Sequence, residues 1–223
     1  MTLAPFGRRL CPVVAHQRYG AYDVISVLDA EGPAPDPGQF YMLAASERWG
    51  GGADERPFLP RAFSVLRRHE DGRLDFLFED VGPGTRRLCQ LRAGDALWLL
   101  GPLGVGFRDA PHAHGAELIP GAQVATDDGS AGHHGLVTDL VAAELAADRH
   151  AEVYACGPPP MLEAVRALCA ERDVPAQLAL ESGMACGYGA CFGCVVPTTE
   201  GYLRLCVDGP VLDASEVERV HGI

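Results

Sequence analysis

The chain contains no lysine. Its 18 basic residues are all arginine, set against 30 Asp and Glu, so the net charge is -12 over 223 residues. An acidic chain of this kind gains nothing from counterion release, which excludes a general nucleic-acid binder. No apolar run approaches the roughly 20 residues that a membrane-spanning helix needs. There is no internal repeat and no low-complexity tract. Arg8-Arg9 is not followed by the apolar stretch of a twin-arginine export signal, because Pro12 and His16 interrupt it at once. The chain therefore reads as cytoplasmic. No Ser-His-Asp or paired-carboxylate arrangement suggests hydrolysis, and no residue is assigned a catalytic role of its own.

What is present is the balance of a globular protein, with 48% hydrophobic and 22% charged residues, enough for one large domain or two small ones. From residue 10 to about 108 the pattern is all-β. Short runs at Val13-Val14, 22–28, 39–43, 62–66, 74–78 and 96–100 alternate with Gly-, Pro- and Asp-rich turns such as Pro35-Asp36-Pro37-Gly38. Six evenly spaced strands predict a small barrel or sandwich. After Gly101 the text changes. Strands at 123–126, 151–155 and 176–180 alternate with helices at 136–147 and 160–172, the order of a parallel α/β layer. Pro111, His112, His114 and Gly115 mark a linker-like boundary. His133 and His134, near Asp127 and Asp128, read as a helix-capping loop rather than a metal site.

Eight cysteines in a reducing compartment are thiols or metal ligands rather than a disulfide framework. Cys11, Cys89 and Cys169 sit among apolar neighbours and read as small core residues. Cys156-Gly157 ends a strand and opens a helix, a place where open α/β sheets bind ligands, so a buried thiol and a ligand contact are both open there. The remaining four have the spacing C-x4-C-x2-C-x11-C, at Cys186, Cys191, Cys194 and Cys206. This is the plant-type pattern for a [2Fe-2S] cluster. Four thiolates must converge on two irons, and Gly187, Gly189 and Gly193 supply the conformational freedom and the amide N–H groups that such a wrap requires. Tetrahedral zinc is the alternative, although zinc ribbons usually pair C-x2-C with C-x2-C.

Two further signals suit a flavin nucleotide. Arg61-Ala62-Phe63-Ser64 lies on a predicted strand, where an arginine can pair with a pyrophosphate and a hydroxyl and amides can meet an isoalloxazine edge. Gly82-Pro83-Gly84-Thr85 opens a short helical stretch, a natural phosphate seat.

In order, RAFSV, GPGT, GPLGVGF (101–107), ATDDGSAGHHG (125–135), ACGPPPML (155–162) and ESGMACGYGACFGCVVP with GYLRLCVDGPVLDA resemble the electron-transfer subunits of type B dihydroorotate dehydrogenases, within the ferredoxin–NADP reductase superfamily. The resemblance runs from about residue 10 to 217. It implies an antiparallel FAD-binding barrel (1–108), a shortened parallel α/β nucleotide-binding domain (109–181) and a C-terminal [2Fe-2S] segment (182–223). The implied flavin contacts are Arg61, Ala62, Phe63, Ser64, Leu77, Phe78, Glu79, Gly84 and Thr85. Cys156 and Gly157 would stand on the nicotinamide side, and the four cysteines above would hold the cluster. The implied function is oxidoreductase electron transfer in pyrimidine biosynthesis, from an FMN-containing catalytic partner in a heterotetramer, through the cluster and FAD, to NAD+. A reductase subunit of a hydrogenase or oxygenase complex, and a carrier that has lost NAD binding, are the other readings. Two departures stand out. Glu79 falls where relatives often carry arginine, and only 17 residues separate Phe107 from Ala125, with no G-x-G-x-x-P turn among them. One or two βα units, and the phosphate-cradling turn for NAD, are expected to be missing.

Overall fold

The computed structural model describes residues 7–51, 57–108, 121–148 and 150–220. The first half is a seven-stranded antiparallel sheet: β1 (Arg9–Tyr19), β2 (Tyr22–Leu28), β3 (Phe40–Ala45), β4 (Arg61–Ser64), β5 (Arg67–Arg68), β6 (Arg73–Glu79) and β7 (Ala96–Leu103), with the short helix α1 (Pro83–Cys89) between the last two. The strand order is β4-β3-β7-β1-β2-β6-β5. Phe63 of β4 packs on Phe78 of β6 with ring centroids 5.3 Å apart, so the ends of the sheet curl toward one another. Alternation decides which side chains fill the interior. On β7, Leu97, Leu99 and Leu103 are buried while Trp98 and Leu100 point outward. The enclosed core gathers Ile25, Val27, Tyr41, Leu43, Phe76, Leu97 and Leu99. At its rim Arg9 meets the buried Asp29 through two bonds of 2.7 Å.

The second half comprises β8 (Ala125–Thr126), β9 (His133–His134), α2 (Val137–Ala147), β10 (Val153–Cys156), α3 (Pro159–Arg172), β11 (Ala176–Ala179), β12 (Val195–Thr198), β13 (Gly201–Arg204) and β14 (Val211–Asp213). Pro159 and Pro160 open α3, where the missing amide hydrogens have no helical partner to lose. Asp173 closes it in the left-handed conformation. Leu162, Val165 and Cys169 recur on one face and are buried.

Here the sheet differs from the sequence expectation. β10 and β11 are parallel, but their third neighbour is β14, antiparallel to β11 through Leu178 opposite Leu212. The expected strand at 123–126 is outside this layer. Its β8 is two residues long and pairs with β9 within a local loop, where the Thr126 carbonyl accepts from the amides of Gly129 and Gly135. The linker residues Pro111, His112, His114 and Gly115 lie outside the described residues.

A second core joins both halves. It contains Leu162, Val165, Leu178, Leu205, Leu212, Cys194 and Cys206 together with Phe40, Met42 and Leu103 from the barrel. This explains why β3 is buried along its whole length: it has a core on each face. Among the described residues no helix is long and apolar enough to cross a membrane.

Candidate functional site

The cysteine loop leaves β11 and returns through the hairpin β12–β13, in which Val195 pairs with Arg204. Gly187 and Gly189 take φ of 81° and 84°, in the left-handed region. A Cβ on Gly187 would lie 2.5 Å from Met42 Cγ, and one on Gly189 2.7 Å from Val207 Cγ2, so the loop closes onto the protein only because these positions lack side chains. Gly193 is not in that region. The positive φ falls on Phe192 instead, at 59°.

The four sulfurs fall into two pairs. Cys194 and Cys206 are buried and their side chains meet, while Cys191 is exposed and its side chain reaches the half-buried Cys186. Backbone amides point at the sulfurs: Gly189 N–H to Cys206 Sγ at 3.2 Å, Cys206 N–H to Cys194 Sγ at 3.4 Å and Gly193 N–H to Cys191 Sγ at 3.5 Å. Burial alone raises the Cys186 thiol, but the amides of Tyr188 and Cys191, the Cys191 side chain and the Ala190 amide outweigh it and bring its pKa down to about 6. Burial and the adjacent Cys194 push Cys206 up to about 12. Among the described residues, no three His, Cys, Asp or Glu side chains gather to hold a single metal ion. Two thiol pairs with amides aimed at sulfur fit a two-iron cluster, which takes two protein ligands at each iron. Binding such a cluster would deprotonate the remaining thiols.

The residues singled out for a flavin divide into those that the fold brings together and those it does not. Arg61 lies across Gly84, so closely that a Cβ there would be 2.3 Å from Arg61 Nε. The guanidinium also donates to the Leu59 carbonyl at 2.6 Å and sits 6.0 Å from the centroid of the Trp49 ring. Trp49, Phe58, Pro60, Trp98 and Leu100 line an apolar groove beside it, and Trp49 Nε1 is buried with no partner inside the protein. The sequence had not singled out this groove. The Thr85 hydroxyl is committed to capping α1, accepting from the amides of Val81 and Gly82 and donating to the Gly82 carbonyl. Ser64 is exposed, while Ala62 and Phe63 are half-buried. Leu77 and Glu79 point outward from β6, and the Phe78 side chain is spent in the barrel core. Cys156 is exposed at the carboxyl end of β10, next to Gly157, whose Cβ would meet Met161 Cε at 2.5 Å. His133 and His134 form β9, and His133 lies 3.3 Å from Asp139, which caps α2. Cys11 and Cys169 are buried as expected, and Cys89 is half-buried against the barrel core.

The two groups of residues are neighbours. Gly187 of the cysteine loop rests on Met42, and Met42 is the register partner of Ala62 on β4. The strand bearing Arg61 is thus one strand spacing, about 4.7–4.9 Å, from the strand that seats the cysteine loop.

A barrel, a reduced α/β layer and a loop of paired thiols define an iron–sulfur electron-transfer protein built on a ferredoxin-reductase-like frame. A chain of the solved NADH-dependent reduced ferredoxin–NADP oxidoreductase superposes with a TM-score of 0.76 at 21% identity, covering 96% of this chain and 91% of that one. The ferredoxin reductase of carbazole 1,9a-dioxygenase follows the same fold with a TM-score of 0.56 at 18% identity, over 75% of this chain and 66% of its own. The family model for the iron–sulfur cluster binding domain of dihydroorotate dehydrogenase B matches residues 181–218. Curated relatives carry the same name. The electron transfer subunit of dihydroorotate dehydrogenase B (NAD(+)) from Geobacillus thermodenitrificans is 35% identical over 82% of this chain and 86% of its own. That from Clostridium acetobutylicum is 32% identical over 81% and 85%. The chain belongs to the family of dihydroorotate dehydrogenase B electron transfer subunits. The alignment to the Caldanaerobacter subterraneus member runs over 248 positions, more than the 223 residues present here, so that relative carries residues with no counterpart in this chain.

Proposed function

We propose that the chain serves as the electron-transfer subunit of a dihydroorotate-oxidising oxidoreductase in pyrimidine biosynthesis, with a [2Fe-2S] cluster on Cys186, Cys191, Cys194 and Cys206 and FAD on the barrel. The observation that carries this reading is the contact of Gly187 with Met42, one strand away from Ala62 and Arg61. It supports the reading because the cysteine loop packs on β3, the strand paired with the β4 that carries Arg61 and Ala62. A cluster moves one electron at a time and a flavin one or two, so together they supply the exchange between single-electron traffic and the hydride of a nicotinamide.

Each residue has a defined task in this scheme. Arg61 pairs with the pyrophosphate across the Gly84 turn, and Ala62, Phe63 and Ser64 offer strand backbone and a free hydroxyl to the isoalloxazine. Leu77, Phe78 and Glu79 contribute through backbone, since the Phe78 ring is committed to the core and Glu79 is acidic. Thr85 shapes the turn through its cap. Cys156 and Gly157 take the nicotinamide side. The exposed rim of the cysteine loop, with Tyr188 at 55% and Phe192 at 64% exposure, is the face offered to an FMN-carrying catalytic subunit, in a heterotetramer of two copies of each chain. We read 1–108 as the flavin domain, 109–181 as the nucleotide domain and 182–223 as the cluster segment, the last lending β14 to the sheet of the second.

The test is to purify the chain anaerobically, assay iron, sulfide, zinc and flavin, and titrate it with NADH. The expected result is two irons and one FAD per chain, with flavin and cluster absorbance both bleached by NADH. A colourless zinc protein would overturn the cofactor reading, and reduction by dithionite but not by NADH would overturn the nicotinamide step. Substituting Arg61→Ala is expected to weaken FAD retention and leave the iron content unchanged. Full flavin occupancy in that variant would remove Arg61 from the site.

A further inference from the structure

We infer that Arg204 is a positioning residue for the cluster, pinning the ligand loop so that its amides stay aimed at sulfur and thereby setting the reduction potential. The inference rests on the cluster reading above. Phe192, inside the ligand motif, holds φ at 59° without being glycine. That conformation crowds a side chain's Cβ against the following carbonyl, so it needs outside support. Its ring is largely exposed, so core packing does not hold it there. The Arg204 guanidinium does, standing 5.6 Å from the ring centroid, within cation–π range. The same side chain donates from Nη1 to the Gly189 carbonyl at 3.4 Å. Asp208 fixes its root, accepting from the Arg204 amide at 2.9 Å and from Nε at 3.4 Å.

One side chain therefore spans the loop from Gly189 to Phe192. Gly189 directs its N–H at Cys206 Sγ, and Phe192 immediately precedes Gly193, whose N–H faces Cys191 Sγ. Amide hydrogen bonds to sulfur stabilise the more negative, reduced state and so raise the potential. A fixed positive charge beside the loop acts in the same direction. Lysine would keep the charge but lose the planar group that stacks on the ring.

The experiment is potentiometry of the full-length holoprotein, followed by electron paramagnetic resonance, with the rate of iron release to a chelator as a second readout. Arg204→Met is expected to move the midpoint to more negative potential and to speed iron release several-fold. Arg204→Lys is expected to fall between it and the parent. Should Arg204→Met fail to take up a cluster, Phe192→Gly removes the ring and relieves the strain while leaving β13 intact, and its midpoint is expected to shift in the same negative direction. A parent-like midpoint in the cluster-loaded variants overturns the role of Arg204. A parent protein with no iron–sulfur signal would instead sink the cluster reading itself.

Discussion

The two hydrophobic cores of this molecule are built on different terms. The barrel core is drawn from barrel strands, α1 and the turn after it, and contains none of the four cysteines proposed as ligands. The second core is a composite in which Cys194 and Cys206 are buried alongside Leu205, Leu178 and Leu162, against Phe40, Met42 and Leu103. A strand ladder supports the first, with β2 paired along almost its whole length to β1 on one side and β6 on the other. The strands of the second are three or four residues long. The barrel is thus equipped to stand without iron, whereas the second core includes Cys194 and Cys206, two of the four sulfurs that the proposed cluster would use.

The largest effect expected from this contrast is all-or-none. Cys191→Ser removes a ligand on the exposed side of the loop, so the visible and paramagnetic signals of the cluster should disappear while FAD stays bound. Loss of flavin together with the cluster, in a protein whose barrel is still folded, would show that the two sites are not independent. A matched pair of cavities sharpens the point. Leu99 and Leu205 are each fully buried, one in either core. Truncating either to alanine is expected to cost about 2–5 kcal/mol. Denaturant melts should show a comparable loss in both, but only Leu205→Ala should also lower iron occupancy. Equal iron content in the two variants would break the comparison.

A third substitution probes the barrel alone. Asp29 is 5% exposed and is held by Arg9 through two short bonds. Removing one partner of such a pair strands the other, and Asp29→Asn is expected to cost about 3 kcal/mol. The cluster spectrum should not change, because the Arg9–Asp29 pair sits by Tyr41, which faces the barrel core, whereas Met42, next to it on β3, faces the second core where the cysteine loop packs. A shifted spectrum would mean that strain passes between the cores.

Much of this division is legible in the sequence. The C-x4-C-x2-C spacing singles out the proposed ligands because thiolate count and loop length are fixed by cluster chemistry. The barrel strands are visible because alternation survives wherever one face meets solvent, as on β7. The rest depends on long-range pairing that a local pattern does not carry. Val211–Asp213 is too short to announce a strand and joins β11 only because the loop returns it there. Ala125-Thr126 has strand propensity, yet the Thr126 carbonyl is taken by amides of its own loop. Phe192 carries no glycine to mark its positive φ, and its support comes from Arg204, twelve residues on. Met42 had one available signal, the unbroken apolar run of β3, which is the mark of a strand buried on both faces.

The smallest expected effect concerns how the chain after β14 is tied to the second core. Glu163 on α3 receives both arms of Arg166, at 2.9 and 2.8 Å, and the Val220 amide at 2.8 Å. The bond from Arg166 is the main cause holding its pKa down to about 2 from the usual 4.5, with burial opposing it and the Val220 amide adding to it. A carboxylate whose pKa is depressed on folding contributes stability above its unfolded pKa. That contribution must fade as pH falls from about 4.5 toward 2. Because the pair is partly open to solvent, it is worth roughly 1 kcal/mol or less. Glu163→Gln should therefore be slightly less stable than the parent at pH 7, and the two should converge as pH is lowered through that window. The readout is chemical denaturation of the apoprotein at each pH, since acid would strip iron and obscure the difference. A gap that stays constant down to pH 2 would show that Glu163 acts through packing rather than charge, and that the tie between α3 and Val220 is not electrostatic.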